Sequence, residues 1–452
     1  MGELEKLKEL YISRTTIVEI PPCVGSLKKL EVLCAANCES LVGLPNSISH
    51  LVNLLTLDLN HCPRLCKLPE SIGSLVKLER LSYNDHGDFL ERSDSSICEL
   101  PKSIGDLKIL KFLDIHNWNK LSNLPSTISK LGNLEELDAT NCKNLEGEIH
   151  IDWLASLKIL KLRFTDVFGF HGTFDKLSCL EKLEVDRCWK LQSLSELPAS
   201  LTVLKVTCQH RTFPQLSHLI HLKELIVNYC PSLESMPELP SGLLTLHVLD
   251  CCNLKEFPSL SSLEFLSTLY LGWCLGLTKI EGLERLKSLA TLEVNQCGKL
   301  SNLDGLEHLK SLRSLRLWSN GPMLNDDQVQ GLEKLKNLEE LFVWVCEPLI
   351  RLDVSQLTYL RRLDFRGCQN LVEIEGFEKL KNLRYLELAG CPSVRTLPDL
   401  SCFHNLVSVV VDKRWKLDEV PGAREETYSA DGLMTIFLPN LPLRSNFEDS
   451  RK

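Results

Sequence analysis

The chain has 452 residues, and its 51 Lys and Arg against 60 Asp and Glu give a formal net charge of -9 and an isoelectric point near 5.8. A mildly acidic chain offers no basic surface to a nucleic-acid backbone or an anionic membrane, so the composition argues against both partners. No window approaches the roughly 18 consecutive apolar residues of a membrane helix, and the first residues lack the basic and apolar regions of a signal peptide.

Leucine fills 93 of the 452 positions and recurs in the pattern L-x-x-L-x-x-L-x-L. The first residue of the final L-x-L pair is called the anchor. Anchors stand at positions 10, 33, 57, 81, 113, 137, 160, 183, 204, 225, 246, 269, 292, 315, 341, 363, 386 and 409. Their spacing of 21 to 32 residues defines about eighteen repeats. The apolar and polar residues that alternate around each anchor predict one short strand per repeat, with one face buried.

Cysteine has a fixed place five residues after the anchor. Eleven of the 19 cysteines stand there: Cys38, Cys62, Cys142, Cys188, Cys230, Cys251, Cys274, Cys297, Cys346, Cys368 and Cys391. A thiol that recurs at the repeat period, without clustered ligands, is typical of a buried packing position rather than a zinc site. We predict that it packs inward and that its S–H meets a backbone carbonyl. The odd number of cysteines and the lack of an N-x-S/T acceptor favour a reducing, intracellular compartment.

Residues 44–48, 68–72, 100–104 and 124–128 each read L-P-x-S/T-I, in which proline ends a ladder and turns the chain back. With the L-x-x-L-x-L-x-x-(N/C)-x-L frame, these features resemble a leucine-rich repeat region. The cysteine in the Asn position and the L-P-x-S/T-I turns resemble the repeats of plant intracellular nucleotide-binding leucine-rich repeat receptors of the TIR type. The resemblance implies an α/β fold: a leucine-rich repeat solenoid, or horseshoe, of about eighteen repeats with a concave parallel β-sheet.

The same resemblance implies a non-catalytic region that senses a pathogen effector or a modified host protein and restrains a nucleotide-binding domain, in the cytoplasm or in both nucleus and cytoplasm. Two alternatives stay open: a substrate-recognition adaptor of a ubiquitin ligase, whose F-box is lacking here, and a repeat scaffold associated with small GTPases. The chain has no G-x-x-x-x-G-K-[ST] loop and no converging set of acid, base and nucleophile. No catalytic, cofactor or metal site is therefore predicted.

Residues one before and one, three and four after the anchor are predicted to point to the concave face. In repeats three to six many are acidic, as at Asp58, Asp85, Asp114 and Asp138, and recurrence at the repeat period indicates a solvated face. In repeats ten to fifteen the predicted protein-binding residues are Tyr229, Tyr270, Trp273, Arg316, Trp318, Phe342 and Trp344. Trp, Tyr and Arg are enriched where interfaces carry their energy. The alternative is that some rings fold onto neighbouring strands and cover backbone.

Two repeats are longer than the rest, with surplus residues within 84–98 and 320–331, and these are predicted to form loops on one flank. The leucine-rich repeat domain is predicted to cover residues 1–412, and residues 413–452 are predicted to form a C-terminal cap and tail. The first residues are already in register, so nothing caps the leucine columns at that end. We therefore expect that a natural N-terminal neighbour is missing or that the chain is a fragment, and the resemblance implies a nucleotide-binding domain at that end.

Overall fold

The structure is a computed structural model that describes residues 4–84, 98–318, 330–397, 399–400, 403–412, 425–428 and 433–437. The chain divides into an N-terminal unit, Met1–Leu233, and a C-terminal unit, Glu234–Lys452. Within the described residues, no helix is long and apolar enough to cross a membrane.

Ten parallel strands form the main sheet of the N-terminal unit. Their bounds are β1 Glu9–Tyr11, β2 Val32–Cys34, β3 Thr56–Asp58, β4 Arg80–Ser82, β5 Phe112–Asp114, β6 Glu136–Asp138, β8 Ile159–Lys161, β10 Lys182–Val185, β11 Val203–Val206 and β12 Glu224–Asn228. Neighbouring strands pair anchor to anchor, as Leu10 does with Leu33 and Leu183 with Leu204. A second parallel sheet has two strands, β7 Glu146–His150 and β9 Asp166–His171.

The C-terminal unit repeats this arrangement with eight parallel strands. Their bounds are β13 Thr245–Leu249, β14 Thr268–Gly272, β15 Thr291–Asn295, β16 Ser314–Trp318, β17 Glu340–Trp344, β19 Arg362–Asp364, β21 Tyr385–Glu387 and β22 Ser408–Asp412. A separate parallel pair consists of β18 Arg351–Asp353 and β20 Glu373–Glu375. After the last parallel strand, β24 Leu433–Phe437 pairs antiparallel with β22, and β23 Glu425–Tyr428 pairs antiparallel with β24.

Each predicted anchor lies in one of these parallel strands, and the anchors from Leu33 to Val409 are at most 1% exposed. Leu10, in the first described strand, is half-buried. Because paired strands repeat the same side chain about 4.8 Å apart, the anchors stack into a continuous apolar column within each unit. Complete burial of a leucine contributes about 1.5–3 kcal/mol, and one repeat alone has nothing to bury it against. The predicted repeat frame is confirmed.

The chain returns between strands through short 3-10 helices. Their bounds are Pro22–Ser26, Asn46–His50, Glu70–Ser74, Lys102–Asp106, Ser126–Lys130 and Phe174–Lys176 in the N-terminal unit, and Leu283–Arg285, Leu306–His308 and Phe377–Lys379 in the C-terminal unit. Pro45, Pro69, Pro101 and Pro125 directly precede four of them, with φ between -63° and -72°. Proline is suited to this position because its φ is fixed and its missing N–H is not required there. The predicted L-P-x-S/T-I turns are thus 3-10 turns.

The cysteine column is buried throughout, as predicted. Eight of its eleven thiols donate to the carbonyl of the residue two positions after the preceding anchor. Cys142 Sγ lies 3.2 Å from the Ile115 oxygen, and Cys188 Sγ lies 3.0 Å from the Leu162 oxygen. The thiol thus satisfies a carbonyl that faces the core, where an unpaired acceptor is costly. Burial also raises the pKa of the Cys188 thiol to about 11, so this thiol stays protonated at neutral pH.

Trp118 takes the cysteine place in the fifth repeat. Its side chain is 1% exposed, and its Nε1 donates to the Tyr83 carbonyl at 2.6 Å. Tyr83 lies two residues after the preceding anchor, so the indole makes the hydrogen bond that a thiol makes in other repeats. The two rings also meet edge to face, with centroids 5.2 Å apart. The sequence pattern did not predict this replacement, because tryptophan is large and aromatic and does not resemble the cysteine that recurs at this position.

Several predictions fall on residues outside the described part of the chain. Residues 85–97 of the insertion predicted within 84–98, Asp85 among them, lie outside, as do residues 320–329 of the insertion predicted within 320–331. Most of the predicted tail is also outside. The last parallel strand, β22, ends at Asp412. The predicted boundary between repeat domain and cap at that residue stays a prediction.

Candidate protein-binding surface

The predicted binding residues occupy the face of the sheet opposite the anchors, called the open face. Tyr229 follows β12 and is described with the N-terminal unit. The other six belong to the C-terminal unit and lie on or directly after β14, β16 and β17: Tyr270, Trp273, Arg316, Trp318, Phe342 and Trp344. Because β16 pairs with β17 in register, Arg316 stands beside Phe342 and Trp318 beside Trp344. The structure therefore brings four of the seven residues into direct contact.

Two tryptophans and one arginine form the outer part of this cluster. The Trp318 and Trp344 rings meet edge to face with centroids 5.5 Å apart. The Arg316 guanidinium lies 4.5 Å from the centre of the Phe342 ring and its Nη2 lies 3.3 Å from Glu340 Oε2. A cavity of about 70 Å³ opens between these side chains, with Glu293 and Asn295 of β15 also in its lining. Such a recess can receive one small side chain of a partner.

Phe342 corrects the expectation that all six aromatic residues are exposed. Its side chain is only 6% exposed. Arg316 covers it from β16, and the Arg362 guanidinium lies 5.0 Å from the ring centre on the β19 side. A cation over an aromatic face is attracted by the ring quadrupole, so the two arginines form a lid over Phe342. This ring therefore supports the surface from below, which is the alternative that the sequence left open.

A charged network holds Trp344 in place, and its members were not among the predicted site residues. Trp344 Nε1 donates to Asp364 Oδ1 at 2.7 Å, and the Asp364 side chain is completely buried. Arg366 bridges Asp364 at 3.1 Å and Glu387 at 2.6 Å, and its guanidinium lies 4.9 Å from the Trp344 ring centre. Burial raises the pKa of Asp364, although the charge of Arg366 opposes the shift. These residues share the strand positions of the predicted site, but they lie in repeats sixteen and seventeen, beyond the repeats from which the site was predicted.

Trp273 and Tyr270 show how position within the repeat sets exposure. Trp273 is 44% exposed and has a φ of 56° at the position four after the anchor. Twelve non-glycine residues have positive φ in the described chain, including Asn37, Asn117 and Asn141 at the same position of other repeats. The strand ends there, so the indole projects free of the sheet. Tyr270 lies within β14 and is half-buried, and burial together with the Glu293 charge raises its pKa.

Tyr229 has its own aromatic partner in the N-terminal unit. Its ring meets Trp189 edge to face with centroids 4.7 Å apart, and the Arg187 guanidinium lies 5.6 Å from its centre. Trp189 is 44% exposed. The sequence did not single out Trp189, because it lies six residues after its anchor and outside the four positions assigned to the open face.

The acidic side chains of repeats three to six are held by local hydrogen bonds. Asp58 and Asp138 each accept the backbone N–H of the residue two positions later, both at 3.0 Å. Asp114, His116 and Asp138 bring possible metal-ligand atoms within 4.8 Å of one another. Burial alone raises the pKa of Asp114, but hydrogen bonds from His116 and Asn84 leave it lowered overall. Lys161 Nζ lies 3.1 Å from Asp138, so a protein cation already balances this group.

Comparison with known proteins agrees with this geometry. Residues 86–206 match a family model described as a leucine-rich repeat region, and residues 53–75 match one described as a leucine-rich repeat. The functional domain of InlJ from Listeria monocytogenes, which includes a cysteine ladder, aligns with a TM-score of 0.55 at 18% identity, over 97% of this chain and 86% of that chain. The chain folds as a leucine-rich repeat solenoid.

Two further similarities are more limited. Disease resistance protein RPP4 of Arabidopsis thaliana is 32% identical over 78 residues, which are 17% of this chain and 7% of that protein. The chain therefore spans a small part of the length of this relative. A leucine-rich repeat protein of Leptospira interrogans aligns with a TM-score of 0.45 at 23% identity, over 86% of this chain and 80% of that chain.

Proposed function

We propose that the chain is a non-catalytic recognition solenoid that binds a protein partner through the open face of its C-terminal unit. The observation that carries the proposal is the cluster of Trp318, Trp344 and Arg316 around a small recess. Trp273 is exposed after β14, two strands from β16 in the same sheet. Tryptophan and arginine dominate the energy of protein interfaces, especially beside a pocket that excludes water. The parallel strands fix their backbone positions, so little ordering is required when a partner binds.

We further propose that this recognition serves plant disease resistance, with the chain sensing a pathogen effector or a modified host protein. The similarity to RPP4 of Arabidopsis thaliana supports this role, as does the resemblance of the L-P-x-S/T-I turns and cysteine column to plant immune receptors. In such a receptor the nucleotide-binding and signalling domains accompany the repeats, and we propose that this chain acts with them. The repeat domain is proposed to cover residues 1–412, with a cap and tail in 413–452.

The cysteines support a cytoplasmic or nucleocytoplasmic location as part of the proposal. Eleven of the 19 recur at the repeat period, five residues after the anchor, where the side chain packs in the interior. Thiols persist in compartments that glutathione and thioredoxin keep reducing, whereas oxidising compartments promote disulfides.

The test compares capture of proteins from infected plant tissue by the unaltered chain and by variants of the open face. Trp273→Asn removes the indole and keeps a residue that tolerates positive φ, and Trp318→Ala empties one wall of the recess. Each is expected to lower recovery of the specific partner by roughly tenfold or more, the loss typical of an interface hot spot. The matched control is Phe265→Ala, because Phe265 is exposed in the same unit but precedes β14.

Recovery is quantified by mass spectrometry after photo-crosslinking, and circular dichroism verifies that each variant is folded. A partner that is lost with both tryptophan variants and kept by the Phe265 variant supports the proposal. Equal recovery by all three variants refutes the assignment to the open face. Failure of every form, including the unaltered chain, to enrich any protein from infected over healthy tissue refutes the role in pathogen sensing.

A further inference from the structure

The return side of the N-terminal unit changes its structure after residue 130. Up to that point, successive 3-10 helices stack tightly: a Cβ added at Gly105 would lie 2.3 Å from the Thr127 oxygen of the next turn. The next repeat has strand β7, which begins nine residues after its anchor, and it has no 3-10 helix within its described residues; β7 pairs with β9 of the following repeat. A 3-10 turn and a strand differ in width and direction. The turn Ser126–Lys130 and strand β7 of the next repeat therefore do not pack tightly against each other.

A cavity of about 430 Å³ lies at this junction. The turn contributes Leu124, Pro125 and Ile128 to its lining, and the strand side contributes Ile149 and Trp153. Leu124 and Trp153 are half-buried, so apolar surface remains open to solvent. The volume is in the range of sites that enclose several side chains or a small molecule.

The edge of β7 that faces this cavity has unused hydrogen-bonding groups. Asp166 N donates to the Leu145 oxygen at 2.9 Å, and Ile151 N donates to the His171 oxygen at 3.0 Å. Parallel pairing engages alternate residues of a strand, so odd-numbered residues face β9 and even-numbered residues face the opposite edge. On that edge Glu146 N donates to Ser122 at 3.1 Å, whereas the backbones of Glu148 and His150 have no partner there among the described residues.

The rim of the cavity is acidic. Glu146, Glu148 and Asp152 belong to the lining, which includes no lysine or arginine. Lys190 lies 4.0 Å from Glu146, but it approaches Asp166 more closely, at 2.8 Å. Glu148 and Asp152 have no ion-pair partner in the part of the chain that the structure describes. An apolar floor, an open strand edge and an acidic rim therefore occur together.

We propose that the β7 edge binds an extended segment of a partner protein, in which apolar residues alternate with lysine or arginine, by adding it as a strand. Main-chain hydrogen bonds to Glu148 and His150 would give affinity, and alternate side chains would give specificity. The apolar side chains continue the inner face of β7 over Ile149 and enter the cavity. The cationic side chains continue the outer face beside Glu148 and Asp152. This second site is independent of the open face.

The probe is the peptide acetyl-Lys-Val-Lys-Val-Lys-Val-amide, titrated into the full chain by calorimetry. Its counterpart with glutamate for lysine has the same backbone and the opposite charge, and it is expected to bind at least roughly tenfold more weakly. Two further peptides have N-methyl groups on either the three valines or the three lysines. Because alternate N–H groups of a strand point to the same edge, strand addition requires that one of these two peptides loses binding.

The protein variant is Glu148→Lys with Asp152→Lys, and the matched control is Glu39→Lys, at an exposed position of the same unit. The double variant is expected to weaken binding of the lysine peptide roughly tenfold, and the control is expected to leave it unchanged. Hydrogen exchange of residues 145–153 should slow when the lysine peptide is bound. The proposal is overturned if the lysine peptide fails to bind, if both N-methylated peptides bind as well as it does, or if this segment gains no protection.

Discussion

Replacement of Trp118 with alanine tests how much the column side chain of one repeat, with its hydrogen bond to a backbone carbonyl, contributes to stability. Trp118 is the largest completely buried side chain in the described part of the chain. Its indole fills the core and its Nε1 is the donor to the Tyr83 carbonyl. Alanine at this position removes both functions, because it leaves a void and an acceptor without a donor.

The expected loss is large on the scale of a folded domain. Replacement of a buried aromatic residue by alanine costs about 3–5 kcal/mol, since the surroundings collapse only in part. A buried carbonyl left without a donor costs about 1–3 kcal/mol. The two effects overlap where the void admits water, so we expect a loss of about 4 kcal/mol or more for Trp118→Ala. Trp118→Cys restores the donor of the column and should recover about 1 kcal/mol or more of this loss.

The measurement is urea unfolding followed by far-ultraviolet circular dichroism, with midpoint and slope compared among variants, because repeat arrays can unfold in parts. The control is Trp189→Ala, which removes an exposed tryptophan of the same unit and its edge contact with Tyr229. That contact predicts a loss of about 1 kcal/mol. A loss for Trp118→Ala no larger than the control would refute the reasoning, and so would equal stability of the alanine and cysteine variants.

Two further predictions concern thiol chemistry and pH. At about pH 8, iodoacetamide should modify the exposed Cys179 and leave Cys188 intact, since burial raises the pKa of Cys188 to about 11. The modification rates are measured by peptide mass spectrometry, and equal rates for the two cysteines would contradict this prediction. Glu184→Gln should lower stability at neutral pH by about 1–2 kcal/mol, because Glu184 is buried between Lys182 at 2.9 Å and Lys205 at 3.1 Å. Burial opposes ionisation of Glu184, but the lysines keep its pKa lowered overall, so this stability is present above the unfolded pKa and is lost as pH falls through the folded pKa. Unfolding curves in which the difference between the two proteins grows toward acid pH would contradict the assignment.

The repeat frame could be predicted because it rests on periodicity. A leucine such as Leu292 is fully buried because equivalent leucines stand one strand away on both sides, and the spacing of anchors in the sequence contains that information. The column cysteines were predictable for the same reason. Their buried position and their hydrogen bond to a backbone carbonyl both follow from a small, weakly polar side chain that recurs at one place.

Departures from the period could not be predicted in this way. Trp118 takes over the bond of a thiol, yet an indole is a substitution that no repeat pattern contains. Strand β7 is one such departure: it contains Gly147, with a φ of 94°, and its pairing with β9 has a register shift between Gly147 and Glu148. A single glycine within a repeat does not distinguish a strand from a turn. Both features depend on contacts between neighbouring repeats rather than on the residues of one repeat.

The buried state of Phe342 changes which atoms of the candidate surface meet a partner. Position in the strand fixes the direction of Cβ, and Arg316 and Phe342, at the same position of neighbouring strands, lie beside each other. The contact between them depends on a cation–π attraction of about 0.5–2 kcal/mol, which is comparable with the entropy lost when an arginine side chain is ordered. Neighbouring side chains decide whether the attraction or the entropy loss is larger. Glu340 lies 3.3 Å from Arg316 and favours the ordered arginine side chain over Phe342. If the proposed surface binds a partner, that partner meets the guanidinium groups of Arg316 and Arg362 before it reaches the ring. We therefore expect the binding energy of this region to depend on arginine and Trp318 more than on Phe342.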